Sequence, residues 1–260
     1  MQRKEPPWGV NQLGATYPTK VSLAFRSGGR CAYPRCGMEL VHSTETESDQ
    51  HVAEAAHIRG EKPGAARFDP SMSDDERNAI ENLVYLCPTH HQLIDKLVED
   101  WPTDRLIKLK LDHERTVREA TEAAFADVAF AELAESVVWV SSQDFNFGDQ
   151  AFDVIDPASK IAKNGLSSGS KRIIAAGLAS QPTVSEFVTA ETQLDPNFPE
   201  RLRAGFLSEY YSLVGDGQSG DTLFEMMCAF AQQGMKLQKD RTAGLAVLVY
   251  LFEKCDIFEK

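Results

Sequence analysis

Two short cysteine and histidine pairs have spacings that suit a bound metal ion. Cys31 and Cys36 form a Cys-x4-Cys pair, and Cys87 with His90 forms a Cys-x2-His pair further along the chain. Thiolates and imidazoles in such paired spacings are the usual ligands of tetrahedral zinc. The segment between the pairs has too few apolar residues for a core of its own, so a metal would hold it together. We therefore predict a structural zinc site; the alternative is a set of scattered residues without a metal.

The next histidine, His91, is predicted to belong to a different site. A helix directs consecutive side chains about 100° apart, so one ion could not easily bind both His90 and His91. His91 and Asp95 are four residues apart and share one helix face. An imidazole and a carboxylate suit a hard divalent cation, Mg²⁺ or Mn²⁺, that keeps open positions for water and phosphate.

The order of His57, Asn82 and His91 around the predicted zinc ligands resembles that of the HNH nucleases. The segments "AHI", "ENLVYLCPTHHQLID" and "WPTDRLIKLKLDHE" carry the resemblance, which covers about residues 20 to 115. It implies a ββα-metal fold, in which a strand-borne histidine lies opposite a helix-borne metal ligand. It also implies that His57 is the general base that activates water, that Asn82 orients its imidazole, and that His91 binds the catalytic cation. Histidine suits base catalysis at neutral pH.

One position departs from the family pattern. Many family members carry an acidic or histidine ligand immediately before the base, whereas this chain has Ala56 there. Asp95 can supply the missing ligand, since some members use a second ligand one turn after the helical histidine. Glu54, on the same predicted strand as His57, is the alternative. If Asp95 instead caps a helix or forms a salt bridge with Lys96 or Lys62, the cation site is too weak and the domain is inactive, a noncatalytic module.

Basic residues after His57 are predicted to contact the phosphates of a nucleic acid. They are Arg59, Lys62 and Arg67, within the excursion "RGEKPGAARFDPSMSDDER". An ordinary solvated loop is the alternative. Neither a recognition helix nor an aromatic stacking series is visible, so we expect double-stranded DNA to be bound with little sequence specificity. The net charge of -12 predicts weak, salt-sensitive binding.

Local patterns predict the elements that position these residues. Thr19 is expected to cap a short helix, "KVSLAFRS", which Gly28 and Gly29 would end. The stretch "HVAEAAHI" is the best strand candidate. A helix is expected from Pro88 to about Glu99, and a long helix from Thr103. The predicted class is α+β.

After about residue 140 the composition changes to a segment rich in Ser, Gly, Asp and Asn, as in linkers. We predict an HNH nuclease domain at 1–115, a connecting helix and linker at 116–160, and an all-helical domain at 161–260. Helices in the last domain are expected over residues 172–178, 183–192, 199–215, 221–233 and 240–258.

The apolar run "AGLAVLVYLF" predicts a helix that is either central to its bundle or buried against another chain. More weakly, residues from about 160 to 260 resemble the C-terminal domain of effector subunits in bacterial three-component antiphage systems, the Lamassu-like group. This resemblance implies an SMC-like ABC ATPase and a further subunit as partners. With the acidic charge, it suggests that the domain docks the enzyme on other chains and forms a homo-oligomer upon release.

The remaining sequence features set outer limits on the function. No apolar run approaches the roughly 18 residues that span a bilayer, and the first residues lack the apolar core of a signal peptide, so we expect a cytoplasmic protein. Cys228 and Cys255 are expected to be buried small hydrophobes.

The sequence favours a metal-dependent DNA endonuclease, the effector of an antiphage complex. The alternatives are a restriction-type HNH nuclease and a noncatalytic module that binds nucleic acid or protein.

Overall fold

The computed structural model describes residues 14–42, 50–141, 156–235, 237–254 and 257–258. The chain divides into two compact units, Met1–Val117 and Arg118–Lys260. Residues 142–155, which hold most of the predicted linker, lie outside the described ranges, as does Cys255.

The first unit combines helices with two small sheets. In order, the elements are α1 (Tyr17–Arg26), β1 (Val41–His42), β2 (Gln50–His51), β3 (Glu54–His57), α2 (Asp74–Asn78), a short 3-10 turn (Ile80–Asn82), β4 (Leu83–Leu86), α3 (Pro88–Lys96) and α4 (Thr103–Ala124), which continues into the second unit. β1 pairs with β2, and β3 pairs antiparallel with β4 so that His57 lies opposite Leu83. α3 follows β4 directly and packs on this second pair. The mixed content is consistent with the predicted α+β class.

Local sequence chemistry determines where α1 and α3 begin and where α1 ends. α1 begins three residues earlier than predicted because Thr16, not Thr19, is its cap: the Thr16 hydroxyl accepts a hydrogen bond from the Thr19 amide at 3.3 Å. Gly28 and Gly29 follow the helix with φ of 59° and 67°, a conformation that glycine adopts without strain. α3 begins at Pro88 as predicted, since a missing N–H is harmless there.

The core of the first unit is small and lies between the β3–β4 pair and the helices packed on it. It includes Leu23 of α1, Ile58 after β3, Tyr85 of β4, Ile94 of α3 and Leu106 of α4. All four residues of β4 are buried, as expected for a strand covered on both faces. This arrangement fixes the end of β3 and the start of α3, the two places where the predicted functional residues lie.

Among its described residues, the second unit is helical throughout. Its helices are α5 (Phe130–Ser141), α6 (Pro157–Lys163), α7 (Ser168–Leu178), α8 (Gln181–Leu194), α9 (Phe198–Gly215), α10 (Gly220–Ala231) and α11 (Gln238–Lys254). α7 to α11 lie at the five segments where the sequence predicts helices, but α10 and α11 end at Ala231 and Lys254, before the predicted ends at 233 and 258. The segment predicted as a connection contains α5, which packs on α9 and α11 within this unit. None of the described helices has both the length and the apolar character needed to cross a bilayer.

α11 is the central helix of the second unit. Its residues from Thr242 to Val249 are all buried, together with Leu251 and Phe252. A Cβ added at Gly244 would lie 1.9 Å from the carbonyl oxygen of Ala231, so α10 approaches the backbone of α11 closely. Of the two environments left open by the sequence, the structure therefore favours the bundle interior. The hypothesis that this apolar run forms a docking surface is wrong, because its side chains are covered within the unit.

Candidate functional site

The four predicted zinc ligands lie together in the first unit. Cys31 and Cys36 belong to the loop after α1, Cys87 precedes α3, and His90 lies in the first turn of α3. One ligand atom from each lies within 4.8 Å of all the others. Nδ1 of His90 lies 3.1 Å from Sγ of Cys87 and 3.6 Å from Sγ of Cys31. The predicted cluster is confirmed.

The donor set of this Cys3His cluster fits zinc. Three sulfurs and one imidazole nitrogen at these separations can surround one tetrahedral ion. Burial raises the pKa of the Cys31 thiol to about 12, so the bound ion must displace its proton. The Cys87 amide donates a hydrogen bond to Sγ of Cys31 at 3.3 Å, which stabilises a thiolate. The cluster is therefore suited to holding zinc once the thiols are deprotonated.

Aromatic rings fix the orientation of His90. The Tyr33 ring stacks on the His90 ring with centroids 3.9 Å apart and planes inclined by 3°. Trp101 lies beside Tyr33 with centroids 5.0 Å apart, and the Arg105 guanidinium lies 4.0 Å from the Trp101 centroid. Because the imidazole packs against this stack, its Nδ1 is held towards the sulfurs.

His91 contacts a separate set of partners. Its Nδ1 is hydrogen-bonded to Oε2 of Glu54 on β3, and its Nε2 lies 3.4 Å from Oδ2 of Asp95. The hydrogen bond to Asp95 raises the pKa of His91; burial opposes this rise, and the bond to Glu54 adds to it. The imidazole therefore lies between two carboxylates, and the adjacent histidines have different surroundings.

Asp95 is also bound to an arginine. Its Oδ1 lies 2.6 Å from Nη2 of Arg67. Burial would raise the pKa of Asp95, but the hydrogen bonds from His91 and Arg67 outweigh burial and hold the pKa below its usual range. One oxygen of this carboxylate is thus committed to Arg67 while the other faces His91.

The residues around His91 suit a divalent cation, with the two carboxylates in different roles. Because Glu54 and Asp95 face opposite ring nitrogens, one of them can share a cation with His91 while the other holds the ring. The Glu54 side chain is 44% exposed, and within the described residues its carboxylate contacts no cationic group besides His91. The side chain of Ala56 is a buried methyl group without a donor atom, so the position before His57 offers no ligand. Glu54 therefore fits the ligand role better than Asp95, although the sequence alone favours Asp95.

His57 ends β3, where an asparagine holds its imidazole. Nε2 of His57 lies 3.1 Å from Oδ1 of Asn78. Nδ2 of Asn78 donates to the carbonyl oxygen of Asp74 at 3.1 Å, which fixes the orientation of the amide. Since the amide oxygen only accepts hydrogen bonds, Nε2 of His57 must carry the proton, and Nδ1 is left as the basic nitrogen. This tautomer can accept a proton from a water molecule.

The predicted role of Asn82 needs correction. Its side chain is buried and does not contact the imidazole: Oδ1 accepts from the Arg59 amide, and Nδ2 donates to the carbonyl oxygens of Arg59 and Arg77, each at 2.9 Å. Asn82 therefore holds the chain immediately after His57, whereas Asn78 holds the ring. Sequence reasoning missed Asn78 because nothing in its local pattern separates it from other polar loop residues.

The three predicted nucleic-acid contacts have different surroundings. Lys62 is exposed, and the Arg59 side chain is 36% exposed and 3.8 Å from Asp69. Both side chains are accessible to solvent. The Arg67 side chain is only 4% exposed, so its predicted role as a phosphate contact is wrong. Arg59 and Arg67 both line an open cleft of about 420 Å³, together with Asp69 and Glu99.

Comparison with known proteins bears on this region alone. Residues 31–98 match the HNH endonuclease family. The match contains the Cys3His cluster, His57 and His91. No curated protein matches the chain significantly, and the resemblance of the C-terminal part to Lamassu-like effectors gains no support. The first unit therefore contains an HNH endonuclease domain, and the protein is a nuclease that hydrolyses phosphodiester bonds.

Proposed function

From the HNH endonuclease domain at residues 31–98, we propose that the protein is a metal-dependent endonuclease that cuts double-stranded DNA with little sequence preference. The observation that carries the proposal is the imidazole of His57. Asn78 accepts from its Nε2, and within the described residues no hydrogen bond occupies its Nδ1. A histidine held in this tautomer is equipped to act as a general base.

In the proposed reaction, Nδ1 of His57 takes a proton from a water molecule. The water oxygen attacks phosphorus, the bond from phosphorus to the leaving oxygen breaks, and that oxygen takes a proton from solvent. Asn78 keeps Nε2 protonated throughout, so that Nδ1 remains the accepting atom. Asn82 holds the chain at Arg59, which keeps His57 at the end of β3.

Glu54 and His91 are the proposed ligands of the catalytic cation. Asp95 would hold His91 through the other ring nitrogen, and Arg67 fixes Asp95. When bound, Mg²⁺ or Mn²⁺ polarises the phosphate and stabilises charge on the departing oxygen. Glu54, not Asp95, is thus the proposed substitute for the ligand that is missing at Ala56. Zinc in the Cys3His cluster has a structural role, because all four of its ligands come from the protein.

The distribution of charge reduces the conflict between an acidic chain and a DNA substrate. The first unit has 15 basic and 18 acidic residues, whereas the second has 12 basic and 21 acidic residues. Most of the net charge of -12 therefore belongs to the second unit. Arg59 and Lys62 are the proposed phosphate contacts in the first unit, with the binding energy falling as salt increases.

A defence role stays a prediction based on the C-terminal resemblance. It would make the protein the cytoplasmic effector of an antiphage complex, restrained by an SMC-like ABC ATPase and a further subunit. An unrestrained nuclease with little sequence preference would cut the chromosome of its host, which favours such restraint. Because α11 is buried, docking or self-association would have to use another surface of the second unit. Co-purification with the products of neighbouring genes is the direct test.

Plasmid cleavage by the full-length protein tests the proposed activity. Mg²⁺ or Mn²⁺ should support cleavage and EDTA should abolish it. His57→Ala should slow cleavage by about 10²–10⁴-fold, the usual cost of removing a general base. His42→Ala is the matched control, since His42 is exposed on β1 and outside the site; it should cut normally.

Two outcomes would contradict the proposal. Unchanged cleavage by His57→Ala would mean that another group is the base. DNA binding without any cleavage by the wild type would favour the noncatalytic module. Cutting at defined sites with sensitivity to methylation would instead indicate the restriction-type alternative.

A further inference from the structure

Arg67 connects the two halves of the proposed site. Its Nε donates to the carbonyl oxygen of Ile58 at 2.7 Å, and its Nη1 donates to the carbonyl oxygen of Ile94 at 2.8 Å. Its Nη2 donates to Oδ1 of Asp95 at 2.6 Å. Ile58 follows the base His57 directly, whereas Ile94 and Asp95 belong to the helix that carries His91. One guanidinium therefore bonds both the end of β3 and α3.

The backbone at Arg67 supports a role for its side chain. Its φ is 55°, in the left-handed region that disfavours residues with a Cβ. The same loop has glycine at position 64, where φ is 86°. If only the path of the chain mattered at position 67, glycine would be the less strained choice. The bonds made by the guanidinium therefore outweigh the conformational cost of placing arginine there.

The bonding pattern requires a guanidinium in particular. A buried cation is tolerated only when its donors are satisfied, and here the acceptors diverge in several directions. Nη1 makes a further, longer contact of 3.4 Å with the carbonyl oxygen of Trp101. The single ammonium of a lysine cannot reach all these acceptors at once.

We propose that Arg67 is a positioning residue that sets the separation and orientation of the base His57 and the cation ligand His91. The inference rests on the proposed nuclease function. It predicts that losing the guanidinium lowers the rate of the chemical step but leaves DNA affinity intact, because the side chain is too buried to contact DNA. A phosphate-binding arginine would behave in the opposite way.

The test compares Arg67→Lys with Arg59→Gln in the full-length protein. Arg67→Lys should lower kcat by roughly 100-fold, as expected when reacting groups are misplaced, with KM and the dissociation constant for DNA measured without added Mg²⁺ or Mn²⁺ unchanged. Arg59→Gln, in the same loop, should raise KM and that dissociation constant by more than it lowers kcat. Zinc content and the melting temperature establish that both variants are folded.

A second variant covers the case in which lysine disturbs folding. Arg67→Gly suits the positive φ and removes the backbone cost, and it should lose kcat as Arg67→Lys does. Millimolar n-propylguanidinium, which matches the removed side-chain atoms, should restore part of that kcat by filling the vacated position.

Three results would overturn the inference. Wild-type kcat in both Arg67 variants would show that the bonds do not position the site. Weakened DNA binding with normal kcat would make Arg67 a phosphate contact. In either case a wild-type enzyme that cuts DNA, and a His57→Ala variant that does not, would leave the proposed function standing. Absence of cleavage by the wild type would contradict the function and this inference together.

Discussion

The two units of the molecule hold their interiors together by different means. In the first unit a Cys3His cluster, a buried asparagine and a buried arginine bond segments that are far apart in sequence. In the second unit α11 is surrounded by helices, and the rings of Phe224, Phe252 and Phe258 pack against one another. The first unit thus relies on directional bonds, and the second on the shape of apolar surfaces.

This difference shows which unit depends on the exact placement of individual polar groups. A directional bond fixes distance and angle, which a general base and a cation ligand require. Apolar packing tolerates small adjustments but not an atom placed where another already lies. Changes to single polar groups should therefore disturb the first unit, and changes of volume along α11 should disturb the second.

The largest expected effect is the unfolding of the first unit when zinc is removed. Binding of structural zinc contributes about 10–16 kcal/mol to folding. This is as large as the whole free energy of unfolding of a typical domain, about 5–15 kcal/mol. Cys87→Ser should therefore abolish zinc binding and unfold the first unit while the second stays folded. Hydrogen exchange measured by mass spectrometry separates the two units. Cys228→Ala is the matched control, because Cys228 is buried in α10 and outside the cluster; it should keep zinc. A protected first unit in zinc-free Cys87→Ser would refute the prediction.

The next effect concerns α11 alone. A Cβ at position 244 would lie 1.9 Å from the Ala231 oxygen, so Gly244→Ala should destabilise the second unit by about 3 kcal/mol, at the upper end for overpacking. Zinc content should not change. Gly215→Ala is the control, because a Cβ there would have no neighbouring atom within 4 Å. Calorimetry on both variants measures the effect, and equal melting temperatures would show that the two helices are not so close.

The two asparagines near His57 should respond differently. Asn82→Ala leaves buried backbone groups without partners, so it should lower the stability of the first unit by about 2 kcal/mol. Asn78 is only half-buried, and Asn78→Ala should lower kcat by about 10–100-fold, the range for residues that orient a functional histidine. Its melting temperature should stay close to that of the wild type. Thermal melts and steady-state kinetics on both variants check this; a full kcat in Asn78→Ala would remove Asn78 from the mechanism.

The smallest effect is a dependence of stability on pH in the first unit, which contains all six histidines. Burial lowers the pKa of His51 from 6.5 to about 4. Between these values His51 binds a proton in the unfolded chain but not in the folded chain, so its contribution to the stability of this unit falls as the pH decreases through that window. The NMR signals of the His51 ring should stay constant from about pH 7.5 to about pH 5.5. A titration midpoint near 6.5 would contradict burial of this ring.

Features that depend on neighbouring residues could be predicted from the sequence. The start of α3 follows from Pro88, and the Cys3His cluster follows from two short spacings of ligand residues. The burial of α11 follows from a run that is apolar on every side, although the sequence could not tell a bundle from a partner chain. In each case the information lies within a few consecutive positions.

The arrangement around the two histidines could not be predicted in the same way. Asn78 contacts His57 across 21 positions, Arg67 contacts Asp95 across 28, and Glu54 contacts His91 across 37. Such pairs form only when the β3–β4 pair and α3 pack together, and no local pattern specifies them. For the same reason the sequence shows Arg67 only as a basic residue that could contact phosphate. In the fold its side chain is buried and bonded to α3.

The most direct test of the account compares His90→Ala with His91→Ala in the full-length protein. His90 belongs to the Cys3His cluster, and His91 lies between Glu54 and Asp95. His90→Ala should lose zinc and the fold of the first unit, as Cys87→Ser should. His91→Ala should keep its zinc and its fold but lose cleavage in Mg²⁺ or Mn²⁺. Equal loss of zinc and folding in the two variants, or full cleavage by His91→Ala, would contradict the assignment of two metal sites to two adjacent residues.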